Sequence, residues 1–166
     1  MPHIHRVGHV VLAVRDPKGT AQFYVDHLGM ELINYYSNPE HGLEMAFLSF
    51  GNNHHDIALI QVPPEAPVGN AGFSHTALVI DGGEQELAQL YRGLKEQGVP
   101  VELTADHGLS KSIYLQDPEG NRLEIYYDTM RPEEAMAFMR QGQAGMAPYD
   151  IEAVPVAEVF PTPGRA

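Results

Sequence analysis

The apolar positions of the chain fall into short runs separated by Gly- and Pro-bearing turns, and the runs recur in the same order twice. Residues 7–14, VGHVVLAV, are β-branched and nearly continuously apolar, which predicts a strand. Helix signals follow: Asp16 as N-cap, Pro17 in the first turn where proline is tolerated, and Gly29 as the stop. Further strands are predicted at 31–35, 43–50 (LEMAFLSF) and 55–62 (HDIALIQV), with turns at SNPEHG and GNN. This completes a βαβββ module over residues 1–62, and the Pro- and Gly-rich stretch 63–73 reads as a linker.

The order then starts again. SHTALVI (74–80) predicts a strand, and GGEQELAQLYRGLKEQG predicts an amphipathic helix with Leu87, Leu90, Tyr91 and Leu94 on one stripe. Strands are predicted at 99–103, 110–117 and 121–128, giving a second βαβββ module over 74–128. An internal duplication of this kind sets the fold class at α+β, with two βαβββ modules. Residues 129–166 form a C-terminal extension: a short helix starting near Thr129 or Pro132, with Ala135, Met136, Phe138 and Met139 on its apolar face. An extended tail containing Pro148, Pro155, Pro161 and Pro163 is expected after it. The helix could cover the site, cover a neighbouring subunit, or simply pack on the surface.

Composition narrows the function classes. A chain of 166 residues can bury a real core, as one domain or as two small modules sharing one. Its 22 acidic and 10 basic residues give a net charge of −12, and no local Lys/Arg cluster reverses it, which argues against nucleic acid as a partner. With no cysteine, disulfides, thiolate zinc sites and Cys nucleophiles are excluded. No stretch approaches the ~18 continuous apolar residues of a membrane span, and MPHIHRVGHVV lacks the apolar run of a signal peptide, so the cytoplasm is the expected compartment. Nine histidines make imidazole and carboxylate the natural candidate ligands.

Glu124 then stands out, a carboxylate inside the apolar run Leu123-Glu124-Ile125-Tyr126-Tyr127. An ionised buried carboxylate is costly unless it is compensated. It either points outward on an edge strand, meets a Lys or Arg, or binds a metal. Aligning the modules supplies partners for the last reading, because GHVVLAV matches SHTALVI and superposes His9 on His75, each the second residue of its aligned stretch. The module-one counterpart of Glu124 is Ala58 in one alignment and His55 in the other, so that strand supplies no second carboxylate at the position. Two imidazoles and one carboxylate with open positions is the ligand set of non-haem Fe(II) oxygenases, and Mn²⁺ or Zn²⁺ could use the same donors.

On these paired histidines and on DPEGNRLEIY, the chain over residues 6–128 resembles the vicinal oxygen chelate superfamily, which includes glyoxalase I, bleomycin-resistance proteins and type I extradiol dioxygenases. The resemblance implies modules that form an open, cupped mixed sheet, with a metal at His9, His75 and Glu124. Glyoxalase I-type members generally add a carboxylate ligand on the last strand of module one, where this chain has Ala58, with Asp56 nearby as one possible substitute. Extradiol enzymes are the closer resemblance. They carry HDxAL with an acid–base histidine, here His55; HGxS, here His107-Gly108-Leu109-Ser110; and a tyrosine ten residues before the ligand glutamate, here Tyr114.

That resemblance implies an Fe(II)-dependent cleavage of a catechol-type aromatic diol by O₂, giving a hydroxymuconic semialdehyde or a relative. His55 would be the base, Tyr114 would hydrogen-bond the deprotonated diol oxygen, and His107 would hold substrate or intermediate. A homodimer or higher homo-oligomer is also implied. Each residue has a plainer alternative. On that plainer reading His54 and His55 are turn residues beside GNN, His107 is a solvent-exposed loop side chain and Tyr114 an ordinary core aromatic, with His3, His5, His27 and His41 at the surface. Two other functions stay open: a metal-dependent isomerase, epimerase or lyase of the same superfamily, and a metal-free small-molecule binder of the bleomycin-resistance type.

Overall fold

A computed structural model describes residues 8–38, 40, 42–69 and 73–156. His3, His5, His41, Pro161 and Pro163 lie outside the described residues. The elements run β1 (Val10–Val14), α1 (Pro17–Leu28), β2 (Glu31–Asn38), β3 (Leu43–Ser49), β4 (Ile57–Gln61), β5 (Thr76–Val79), α2 (Glu84–Glu96), β6 (Val101–Asp106), β7 (Ser110–Gln116), β8 (Arg122–Asp128), α3 (Pro132–Arg140) and β9 (Ala147–Pro148). The βαβββ order thus occurs twice, in two mixed sheets, as the α+β reading requires. The chain divides into two compact units, one of Met1–Thr76 with Gln116–Leu123 and one of Ala77–Leu115 with Glu124–Ala166.

In the first unit the sheet order is β1-β4-β3-β2, with β1 parallel to β4 and the other neighbours antiparallel. Ile57, Ala58 and Leu59 of the central strand β4 are all buried, which explains why it reads as a continuous apolar run rather than an alternation. Helix α1 packs against β3 and β4. The Asp16 carboxylate caps it by accepting the Gly19 N–H at 2.9 Å, and Gly29 ends it at φ 67°, a left-handed conformation that glycine adopts without strain. Tyr24 of α1 is fully buried and donates its hydroxyl to Asp117 at 3.1 Å. Asp117 also accepts the N–H groups of Glu119 (2.9 Å) and Asn121 (2.8 Å) and the Asn121 side-chain amide (2.8 Å), so the DPEGN turn is built around one carboxylate.

In the second unit the sheet order is β5-β8-β7-β6-β9. Several elements depart from the sequence reading, with β1, β4 and β5 starting at Val10, Ile57 and Thr76 rather than at 7, 55 and 74. Strand β6 runs to Asp106 rather than ending at 103, and β2 reaches Asn38 rather than 35, because hairpin pairing with β7 and β3 carries both past their apolar cores. The segment after α3 is not simply an extended tail. Ala147 and Pro148 pair with Asp106 and Ala105 of β6, residues 151–153 form a 3₁₀ turn, and Ile151 and Val154 are buried. Polar anchors hold it. Tyr91 and Lys95 reach Glu152 at 2.8 and 2.6 Å, and the Arg92 guanidinium donates to the Val154 carbonyl at 2.6 Å. Helix α3 itself begins at Pro132 and buries none of its residues, with Met136 and Met139 exposed. Among the described residues no helix is long and apolar enough to cross a membrane.

One anchor carries a pH expectation. Lys111 donates to Glu84 at 2.6 Å, and Tyr149 donates to the same carboxylate at 3.2 Å. The Lys111 hydrogen bond holds the Glu84 carboxyl below its usual 4.5, a depressed acid whose stabilisation is whole above that value and is lost as the pH falls. The same bond raises Lys111 above 10.5, so that half is lost at alkaline pH. Since the glutamate is more than a third exposed, solvent screening keeps the pair near or below ~1 kcal/mol. Glu84→Gln is expected to lower the urea midpoint slightly at pH 7, with a smaller deficit at pH 3. An equal deficit at both would contradict the assignment.

Candidate active site

The first unit gathers three imidazoles. His9 and His55 sit just before β1 and β4, not within the strands, and the parallel pairing of those strands makes them neighbours. The Val10 N–H donates to the Asp56 carbonyl at 3.0 Å, and the two rings lie 4.4 Å apart at 47°. The Phe47 ring of β3 meets the His55 ring in a T-shaped contact at 5.2 Å, and the Nδ1 atoms of His54 and His55 are 2.6 Å apart, so one donates and the other accepts. Burial, then the neighbouring His9 and His54, push the His55 ring below its ordinary 6.5, against an opposing pull from Asp56. Asp56 itself is engaged in the GNN turn, where it accepts the Phe50 N–H at 2.8 Å and the Asn53 amide at 2.7 Å. His75 is half-buried just before β5, with its Nδ1 3.1 Å from the Ser74 hydroxyl.

The second unit gathers the carboxylate and its companions. Glu124 is 9 % exposed, and its Oε1 accepts the hydroxyl of Ser112 at 2.6 Å. Ser112 and Tyr114 share a face of β7 because side chains alternate along a strand. His107 stands in the β6–β7 turn, closed by its N–H donating to the Ser110 carbonyl at 2.9 Å and by Gly108 at φ 83°. Its Nε2 is 2.9 Å from the Tyr114 hydroxyl and 3.6 Å from the Glu124 carboxylate. Ser112 was not singled out from sequence. The available signal was its spacing, two residues before Tyr114 in a strand otherwise rich in apolar side chains.

The structure therefore brings His9 and His54 to His55, Ser112 and His107 to Glu124, and Tyr114 to His107. Among the described residues no group of three or more His, Asp or Glu side chains is gathered as a metal cage, and His9 and His75 belong to the first unit while Glu124 belongs to the second. By donor chemistry the three fit a divalent first-row ion, as imidazole and carboxylate both suit iron, manganese and zinc. The Ser112 bond is the kind of outer contact that fixes the orientation of a ligand carboxylate.

Comparisons with known proteins follow the same lines. Residues 6–125 match the model of the Glyoxalase/Bleomycin resistance protein/Dioxygenase superfamily. The chain is 33% identical over 156 residues to biphenyl-2,3-diol 1,2-dioxygenase 2 of Rhodococcus globerulus, covering 91% of this chain and 78% of that one. It is 28% identical over 149 residues to the metallothiol transferase FosB of Staphylococcus epidermidis, covering 89% of this chain and 97% of that one. Among solved structures, glyoxalase I of Leishmania major superposes with a TM-score of 0.65 at 21% identity, over 85% of this chain and 100% of that one, a likeness of fold.

Proposed function

The chain belongs to the Glyoxalase/Bleomycin resistance protein/Dioxygenase superfamily, and from that premise we propose that it is a non-haem Fe(II)-dependent extradiol dioxygenase. In this reading it cleaves the ring of a catechol-type diol with O₂. The observation that carries the proposal is the cluster on Glu124, where an imidazole and a phenol that can pass a proton stand beside a buried carboxylate. The similarity to a biphenyl-2,3-diol dioxygenase over most of the chain supports it. The reaction balances without further reagents. A carbon–carbon bond beside the diol breaks, both oxygen atoms enter the product, and a hydroxymuconic semialdehyde or a substituted relative results.

His9, His75 and Glu124 would hold the metal, with Mn²⁺ as the alternative ion. Iron(II), when bound, supplies Lewis acidity and a meeting place for diol and O₂. The rest falls to side chains. His55, standing beside His9 with its ring steadied by Phe47, would take the proton from a diol hydroxyl. Tyr114 would hydrogen-bond a diol oxygen, and Ser112 would keep Glu124 oriented. A soluble cytoplasmic homo-oligomer is the form we expect.

Two experiments test this. Protein reconstituted anaerobically with Fe(II) and assayed in air against biphenyl-2,3-diol and simple catechols should give a yellow ring-opened product. His55→Gln should lower kcat about 100- to 1,000-fold, the usual worth of a general base, with iron content unchanged. The second reading, a metal-dependent thiol transferase or isomerase, draws on the FosB similarity. It gains if the protein binds metal, leaves every diol intact and turns over thiol-dependent substrates.

A further inference from the structure

We infer that the segment after α3 is a working part of the site, because the Gly145 backbone carbonyl fixes which nitrogen of His107 faces Tyr114 as a proton acceptor. This segment lies beyond the residues that the family model matches, which end at 125. His107 Nδ1 is 2.8 Å from the Gly145 carbonyl oxygen. A carbonyl can only accept, so Nδ1 carries the hydrogen. A neutral imidazole has one N–H, which leaves Nε2 bare, 2.9 Å from the Tyr114 hydroxyl. The phenol hydrogen is thereby directed to His107, and the phenol oxygen is left to accept from the diol hydroxyl that keeps its hydrogen, rather than to donate to the deprotonated oxygen as the family resemblance implies. An imidazole of the opposite tautomer would donate to the phenol oxygen and take that acceptor position away.

Sheet register explains why the carbonyl arrives there. β9 pairs antiparallel with the end of β6, Ala147 opposite Asp106. Continuing the two chains past that pair brings the residues before Ala147 alongside His107. The anchors of the segment keep this register: the Thr104 hydroxyl donates to the Tyr149 carbonyl, and Ile151 is buried. The other side of the His107 turn is held as well. Thr129 donates its N–H to the Leu109 carbonyl at 2.9 Å and its hydroxyl to the Gly108 carbonyl at 2.7 Å. Phe138 of α3 lies so close over Gly108 that a Cβ there would stand 2.7 Å from its ring. Gly145 is thus a positioning residue acting through His107.

The role in turnover rests on the extradiol reading, whereas the tautomer does not, and the test separates them. In metal-free protein labelled with ¹⁵N-histidine, long-range proton–nitrogen correlation spectra, assigned with His107→Gln, show which nitrogen of His107 bears hydrogen. Hydrogen on Nδ1 is expected. Hydrogen on Nε2, the form unconstrained histidines favour, overturns the inference whether or not the protein cleaves diols. One glycine inserted between Gly145 and Met146 displaces the carbonyl from β9, while one inserted between Gly142 and Gln143 leaves it in place. The first insertion should shift the tautomer and lower kcat about tenfold with KM nearly unchanged, and the second should do neither. Identical behaviour of two folded insertion variants overturns the inference. If the first does not fold, the spectrum of the parent protein decides alone.

Discussion

Replacing Glu124 with alanine is expected to abolish stoichiometric iron binding and to lower diol turnover by about 1,000-fold or more. The magnitude follows from the three-donor assignment. With two imidazoles left, the ion would lose its only charged protein ligand, and its affinity would go with it. Ser112→Ala provides the scale. Ser112 only orients the carboxylate, through one 2.6 Å bond, and loss of an outer partner of that kind costs about 10- to 100-fold. Metal content by emission spectroscopy after reconstitution, measured beside steady-state turnover, separates the two. If Glu124→Ala keeps one iron per chain, Glu124 is not a ligand and the central assignment fails. Thermal melts of both variants guard against a trivial result, since each removes one side of the buried Ser112–Glu124 hydrogen bond, a loss of about 1–3 kcal/mol.

The largest loss of stability is expected from Asp117→Ala, about 3–5 kcal/mol in urea unfolding. Asp117 is buried and accepts four hydrogen bonds, two from backbone N–H groups of its own turn and one each from the Asn121 amide and the Tyr24 hydroxyl. Alanine leaves four donors without an acceptor at once, and breaking a buried charged network by removing one side costs several kcal/mol. Tyr24→Phe deletes a single donor and should cost about 1 kcal/mol, which makes it the internal control. Burial, and then the Asp117 charge, hold the Tyr24 phenol well above its ordinary 10. A phenol raised in the folded state contributes stability that is whole below pH 10 and is lost above it. The gap between parent and Tyr24→Phe should therefore shrink in strong alkali. Equal losses for the two variants at pH 7 would mean that the turn is held by something other than Asp117.

Much of this fold is legible in local signals. The cap and stop of α1 and the repeated βαβββ order need only short-range chemistry: a side-chain acceptor at Asp16, a left-handed glycine at Gly29 and apolar runs of strand length. What sequence did not reveal depends on pairings between distant segments. β9 is two residues, Ala147 and Pro148, with no periodicity of its own, and it exists because β6 offers an edge. Ser112 looks like any small polar residue of an apolar strand until its bond to Glu124 is seen. The contact of His9 with His55 follows from the parallel pairing of β1 and β4, which no local pattern announces. The module alignment that set Glu124 against His55 was sequence information, but it could not say that His54 would also join that group.

Oxygen consumption per diol consumed, followed in a sealed electrode cell with Fe(II)-loaded protein and biphenyl-2,3-diol, tests the proposed function most directly. One O₂ per diol, with ring-opened product rising in step and both signals lost in Glu124→Ala, is the expected result. Iron bound at one per chain, with no oxygen uptake on this diol or any simple catechol, would contradict it.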